Sequence, residues 1–160
     1  MGAHGSPPHR IRGDAASASR LFTQAPGEIV DIGGGPGKYA IALVQQGYTV
    51  TLVDLSNACL EFAKDRAREI GVELDAYVHG NAIDLTPLPR SRYDAALLMG
   101  PLYHLIAAED RQQAVREAAR VLKPGGLIFA AIIMRYAPLR YAAKHEPALI
   151  SEDREGLERI

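Results

Sequence analysis

The segment Asp31-Ile32-Gly33-Gly34-Gly35-Pro36-Gly37 closes a short apolar run, Glu28-Ile29-Val30-Asp31-Ile32, and opens a helical pattern from Tyr39 to Gln46. In that pattern Ala40, Ile41, Leu43 and Val44 recur at helical spacing, and Gly47 is placed to end the helix in a left-handed conformation. A buried strand that enters a glycine turn and leaves it as a helix is the hand-over of an open α/β sheet, where ligands bind at the carboxyl edge. Glycines there let a ligand approach the backbone without meeting a Cβ atom, while the first turn of the helix presents unpaired amides.

The alternation continues downstream. Tyr48 to Val53 is rich in β-branched residues and reaches Asp54, which gives a second strand. Ser56 or Asn57 caps a helix that runs to Ile70, with Leu60, Ala63 and Ala67 on one face and Gly71 as terminator. A third strand is expected near Asp75 to His79 and a fourth from Tyr93 to Met99. Glu109 to Leu122 reads as a helix with Val115, Ala118, Ala119 and Leu122 buried, stopped by Lys123-Pro124-Gly125-Gly126 before a fifth strand, Leu127 to Met134. The pattern predicts an α/β, Rossmann-like, doubly wound and mostly parallel sheet.

Spacing narrows the ligand. A dinucleotide fingerprint begun at Gly33 and Gly35 puts its third glycine at Lys38, which weakens a nicotinamide reading without removing it. A phosphate-binding P-loop is missed at both ends, with Ile32 at its first glycine and Tyr39 after Lys38. Asp31-x-Gly33-x-Gly35-x-Gly37 instead resembles the first motif of the class I S-adenosylmethionine-dependent methyltransferases. Two later segments extend the likeness to the small-molecule type: Tyr93-Asp94-Ala95-Ala96-Leu97-Leu98-Met99-Gly100-Pro101-Leu102-Tyr103-His104-Leu105 and Arg120-Val121-Leu122-Lys123-Pro124-Gly125-Gly126.

The resemblance implies a cofactor site at Asp31, Gly33, Gly35, Gly37, Asp54, Leu55, Asn81, Ala82 and Gly100. A carboxylate at the end of the second strand, Asp54, can accept hydrogen bonds from both ribose hydroxyls, although a strand-end Asp also caps helices. Leu55 is expected to pack on adenine. Asn81 stands where the family usually has an acid facing the adenine amine, and its carbonyl oxygen can accept the same bond or close a turn. Tyr103 and His104 border the methyl group in the family's geometry, or form a packed helix start. The methyl is displaced in line from a sulfonium that leaves as the neutral thioether of S-adenosylhomocysteine, so a base is optional and no metal is assigned. His104 is the candidate base for a hydroxyl or protonated amine acceptor. His79 is read as a strand end, Cys59 as helix packing and Lys64 to Glu69 as a solvated face.

Composition bounds the partners. A formal charge of −1 gives no electropositive field for nucleic acid or anionic membranes, and no apolar run reaches spanning length. The lone Cys59 excludes an internal disulfide, which fits a reducing, cytoplasmic setting. Met1-Gly2-Ala3-His4-Gly5-Ser6 matches the N-myristoylation pattern, a pattern loose enough to arise by chance. The expected organisation is an N-terminal extension over 1–27 with at most a short helix around Ala15 to Phe22, a cofactor-binding core over 28–139, and a C-terminal helical segment over 140–160 around Tyr141 and Arg154. The resemblance implies a seven-stranded sheet and an N-terminal helical lid, whereas about five strands and no clear lid are patterned here, as if the family's domain were truncated at both ends. An active methyltransferase acting on a small molecule, a truncated cofactor-binding domain without useful catalysis, and a nicotinamide-dependent oxidoreductase all remain as readings. The apolar edge left at the fifth strand is expected to be covered by residues after Arg135 or paired with a second copy as a homodimer.

Overall fold

The chain starts its sheet with β1 (Glu28–Ile32) laid parallel to β2 (Thr49–Asp54), and α1 (Lys38–Val44) crosses between them. The computed structural model describes residues 27–134 and 136–145. The expectations for Ala15 to Phe22, for the surroundings of Arg154 and for the N-myristoylation pattern lie outside them. α2 (Asn57–Ile70) follows, then β3 (Ala76–His79), β4 (Tyr93–Leu98), the one-turn α3 (Pro101–His104), α4 (Ala108–Val121), β5 (Leu122–Ala130) and α5 (Ala137–His145). The chain divides into one unit ending at Ala130 and a second that begins at Ala131.

The five strands among the described residues are all parallel, in the order β3-β2-β1-β4-β5. The chain winds outward from β1 to β3, then returns to the other side of β1 for β4 and β5. This reversal leaves a crevice at the carboxyl ends of β1 and β4, the switch point at which open α/β sheets bind ligands.

The period of two along each strand sorts side chains to two faces. Ile29, Val50, Leu52, Ala95 and Leu97 pack with Ala40, Ile41 and Leu43 of α1 and Leu60, Ala63 and Ala67 of α2. On the other face Val30, Ile32, Val53, Ala96 and Leu98 pack with Ala114, Ala118 and Val121 of α4. α2 has the ends its sequence prescribes: Ser56 Oγ accepts from the Cys59 amide at 3.3 Å, and Gly71 closes it at φ +77°.

Two elements depart from expectation. α4 buries Ala114, Ala118 and Val121 while Val115 is 40% exposed, and Ala119 is exposed as well. The i, i+4, i+7 stripe is the same kind of stripe shifted in phase, because small alanines let the helix lie close to the sheet. β5 starts earlier and ends earlier than expected. Its register jumps from Tyr93↔Leu122 to Ala95↔Leu127, so residues 123–126 bulge opposite Asp94, turned by Gly125 at φ +81°. It stops at Ala130 because its partner β4 ends at Leu98.

Polar groups fasten the edge of the sheet remote from the crevice. Tyr93 hydroxyl donates to Thr51 Oγ1 at 3.2 Å, and Thr51 donates to Asp75 at 3.0 Å. Arg92 bridges Glu28 and Asp75, and Lys123 bridges Asp94 and Glu28. These ion pairs are about a third or more exposed and add little stability each.

Arg120 is placed differently, in a site only 14% exposed. It donates to the carbonyls of Leu85 at 2.6 Å and Leu88 at 3.1 Å and pairs with Glu117, which in turn accepts from the Leu85 amide. The guanidinium beside Glu117 holds that carboxyl below its ordinary range. Arg120→Ala should therefore cost about 3 kcal/mol, because it strands a largely buried carboxylate and two carbonyls. Urea denaturation is the check: a change below about 1 kcal/mol removes Arg120 from the clamp on the 80–92 loop.

Candidate functional site

A cavity of about 680 Å³ opens at the switch point, within the range of small-molecule sites. The loop after β1 forms its floor, Asp54, Leu55, Gly80, Asn81 and Ala82 form one wall, and Gly100, Tyr103 and His104 form the other. Of the residues expected in the site, Gly33, Gly35, Asp54, Leu55, Asn81, Ala82, Gly100, Tyr103 and His104 line this cavity together. Asp31 and Gly37 do not line it. Gly37 is turned toward α2, where an added Cβ lies 2.9 Å from Ala63 Cβ, and Asp31 is sealed beneath the loop.

The glycines of the loop divide their duties. At Gly34 an added Cβ lies 2.5 Å from both Asp31 Oδ2 and Leu52 Cδ1, so this residue must be bare for the loop to lie on the sheet. At Gly35 the backbone has φ +55° and nothing stands within 4 Å of an added Cβ, so its Cα faces open cavity. Gly35 thus supplies both the left-handed conformation and the bare approach that a close-lying ligand needs.

Asp54 holds the loop to the wall. Its Oδ2 accepts from the Gly35 amide at 2.7 Å and its Oδ1 from the Ser56 amide at 2.9 Å. Each carboxylate oxygen has a second lone pair, which leaves acceptor capacity toward the cavity. Asn81 closes a turn, its Oδ1 accepting from the Ile83 amide at 3.2 Å and its main-chain oxygen from the Asp84 amide at 2.9 Å. His79, a strand end in the sequence, reaches across to Leu55: its Nε2 lies 2.9 Å from the Leu55 carbonyl, which only accepts, so Nε2 carries the proton. The β2–β3 register that pairs Asp54 with His79 brings them together, a long-range fact with no local sequence signal.

On the opposite wall the β4 loop closes on the glycine loop. An added Cβ at Gly100 lies 3.1 Å from the Gly33 carbonyl, and the Tyr103 hydroxyl comes within 3.9 Å of the same point. The Tyr103 and His104 rings stand 4.7 Å apart, tilted by 53°. Lys38, Tyr39 and Met99 also line the cavity, and sequence reasoning misses them. Tyr39 and Met99 sit at the ends of a helix and a strand pattern, where an apolar residue signals only packing.

Asp31 is the electrostatic anomaly. It is fully buried, its β1 position is flanked in register by Leu52 and Leu97, and among the described residues neither carboxylate oxygen has a partner in hydrogen-bond geometry. Burial pushes its carboxyl up to about 7; the nearby Ala40 amide in the first turn of α1 opposes the rise, and the like charge of Asp54 adds to it.

Comparison with known proteins agrees with this geometry. The family model for a methyltransferase domain matches residues 30–130. The ubiquinone biosynthesis O-methyltransferase of Escherichia coli O157:H7 is 32% identical over 128 residues, covering 80% of this chain and 50% of that protein. The chain thus spans about half the length of the curated relatives it matches. A SAM-dependent methyltransferase from Methanosarcina mazei superposes with a TM-score of 0.70 at 28% identity, over 79% of this chain and 62% of that one. The PH0226 protein of Pyrococcus horikoshii shares the fold with a TM-score of 0.69 at 21% identity, over 81% of this chain and 56% of that one. With strand order, glycine loop and strand-end acid in place, the chain belongs to the methyltransferase-domain family of class I S-adenosylmethionine-dependent methyltransferases.

Proposed function

We propose that the chain binds S-adenosylmethionine in the switch-point cavity and transfers its methyl group to a small-molecule acceptor. The observation that carries this reading is the open Cα of Gly35 beside the carboxylate of Asp54, a cradle that a Cβ would fill next to an acceptor pair suited to a ribose. When bound, the cofactor supplies an electrophilic methyl on sulfur. Asp54 accepts from the ribose hydroxyls, Leu55 and Ala82 pack against adenine, and Asn81 meets its exocyclic amine. Gly33, Gly35 and Gly100 let backbone approach the methionine end, with Asp31 and Gly37 shaping the loop from below. Tyr103 and His104 face the acceptor, and His104 takes the proton of an acceptor hydroxyl as it attacks. The name of the Escherichia coli relative, an O-methyltransferase, supports an oxygen nucleophile.

A cofactor-binding domain over 28–139 without useful catalysis is the second reading. We also place the protein in the cytoplasm, with a small molecule rather than nucleic acid or a membrane as its partner. Among the described residues no helix is long and apolar enough to cross a membrane. Among the described residues β5 is an outer strand with Leu127 46% exposed, which suits pairing with a second copy; light scattering over a concentration series tests this.

Calorimetry should give measurable binding of S-adenosylmethionine and S-adenosylhomocysteine and far weaker binding of NADH and ATP. NADH as the tighter ligand overturns the proposal in favour of an oxidoreductase. Methyl transfer to a panel of small hydroxyl compounds then separates turnover from binding alone.

A further inference from the structure

We propose that Asp31 reads the charge of the cofactor, so that the cavity distinguishes the cationic sulfonium from its uncharged thioether product by giving up a proton to solvent when the first binds and not the second. This rests on the reading of the cavity as an S-adenosylmethionine site. The bonding and burial of Asp31 single it out. Among the described residues neither of its oxygens has a partner in hydrogen-bond geometry, the Ala40 amide being the nearby donor, although the residue is fully buried, and its carboxylate lies directly under Gly34, whose backbone lines the cavity. A charge enclosed by Leu52, Leu97 and the glycine loop is poorly screened, so the arrival of a second charge in the cavity is strongly felt.

Among the described residues the other titratable and charged groups around the cavity are Asp54 at the end of β2, Lys38 and Tyr39 on α1, and Tyr103 and His104 on α3. Asp54 repels a charge on Asp31, and the Ala40 amide favours one. With its carboxyl pushed up to about 7, Asp31 is divided between its two protonation states near neutral pH. A positive charge brought into the cavity by the cofactor would stabilise the Asp31 carboxylate, whose proton would leave to solvent. With the uncharged thioether in the cavity Asp31 would keep its proton, taken back from solvent. Affinity for the cofactor relative to the product must therefore rise with pH through the range in which free Asp31 titrates.

The test is calorimetry of the intact chain with each ligand, in two buffers of different ionisation enthalpy at about pH 6.5, where ligand amines remain protonated. S-adenosylmethionine should release about half a proton and S-adenosylhomocysteine almost none. The affinity ratio of the two should rise roughly sixfold between about pH 5.5 and about pH 7.5, as it does when the sulfonium makes Asp31 a roughly tenfold stronger acid. Asp31→Asn should abolish both effects, and His104→Gln should preserve them. The wild-type proton count decides the matter even if Asp31→Asn does not fold. Equal proton release for both ligands overturns the role of Asp31 alone, as does a release lost in His104→Gln. Failure of both ligands to bind overturns the cofactor reading and this proposal with it.

Discussion

Gly34→Ala is expected to destabilise the protein by about 3 kcal/mol, with a fall in melting temperature of roughly 10 °C. An added Cβ meets Asp31 Oδ2 and Leu52 Cδ1, each at 2.5 Å, well inside contact distance. Side-chain ends ordinarily give way cheaply, but both of these belong to fully buried residues. Leu52 is packed among Ala40, Ile41 and Ala63 in the core facing α1 and α2, and Asp31 is sealed beneath the loop. The loop must therefore lift from the sheet, and its amides leave the Val53 carbonyl, to which Gly33 and Gly34 donate at 2.7 and 3.3 Å.

Gly35→Ala, one residue later, makes the contrast. Its Cβ points into open space, so the loss is limited to the cost of a left-handed alanine, about 1 kcal/mol. The new methyl group nevertheless occupies the surface against which the cofactor is proposed to lie, so affinity falls while the fold persists. Thermal denaturation paired with calorimetry reads both quantities. A Gly34→Ala protein as stable as wild type contradicts the close packing of loop on Asp31; a Gly35→Ala protein with unchanged affinity removes Gly35 from the ligand surface.

The pair also shows what sequence can and cannot disclose. Glycine spacing announces a turn at a strand–helix junction, because turn chemistry and helix caps are local properties; the Ser56 cap and the Gly71 terminator are legible for the same reason. Which glycine serves packing and which faces the ligand depends on what lies opposite, and Leu52 and Asp31 arrive there only through sheet register. The phase of α4 is misleading in the sequence because Val115 carries more apolar surface than Ala114, whereas close approach to a sheet rewards the smaller side chain. The bulge at residues 123–126 hides inside a motif that reads as a plain helix stop. His79 looks like an ordinary strand end, since its bond to Leu55 exists only after β2 and β3 pair.

Asp54→Ala is expected to weaken S-adenosylmethionine binding about a hundredfold, close to 3 kcal/mol. Two losses combine. The carboxylate no longer accepts from the ribose hydroxyls, and it no longer ties the Gly35 amide at 2.7 Å to the Ser56 amide at 2.9 Å, so floor and wall of the cavity come apart. The fold itself should lose only about 1–2 kcal/mol, because Asp54 is partly exposed and the freed amides can turn to water. Asp54→Asn separates the two losses: a carboxamide has one accepting oxygen in place of two, so it keeps either the Gly35 or the Ser56 bond and should recover part of the affinity. A cofactor analogue lacking a ribose hydroxyl completes the cycle. Against wild type it should bind several-fold more weakly than the parent, and against Asp54→Ala the two should bind alike. If the analogue suffers the same penalty in both proteins, Asp54 does not hold the ribose and acts on the loop alone.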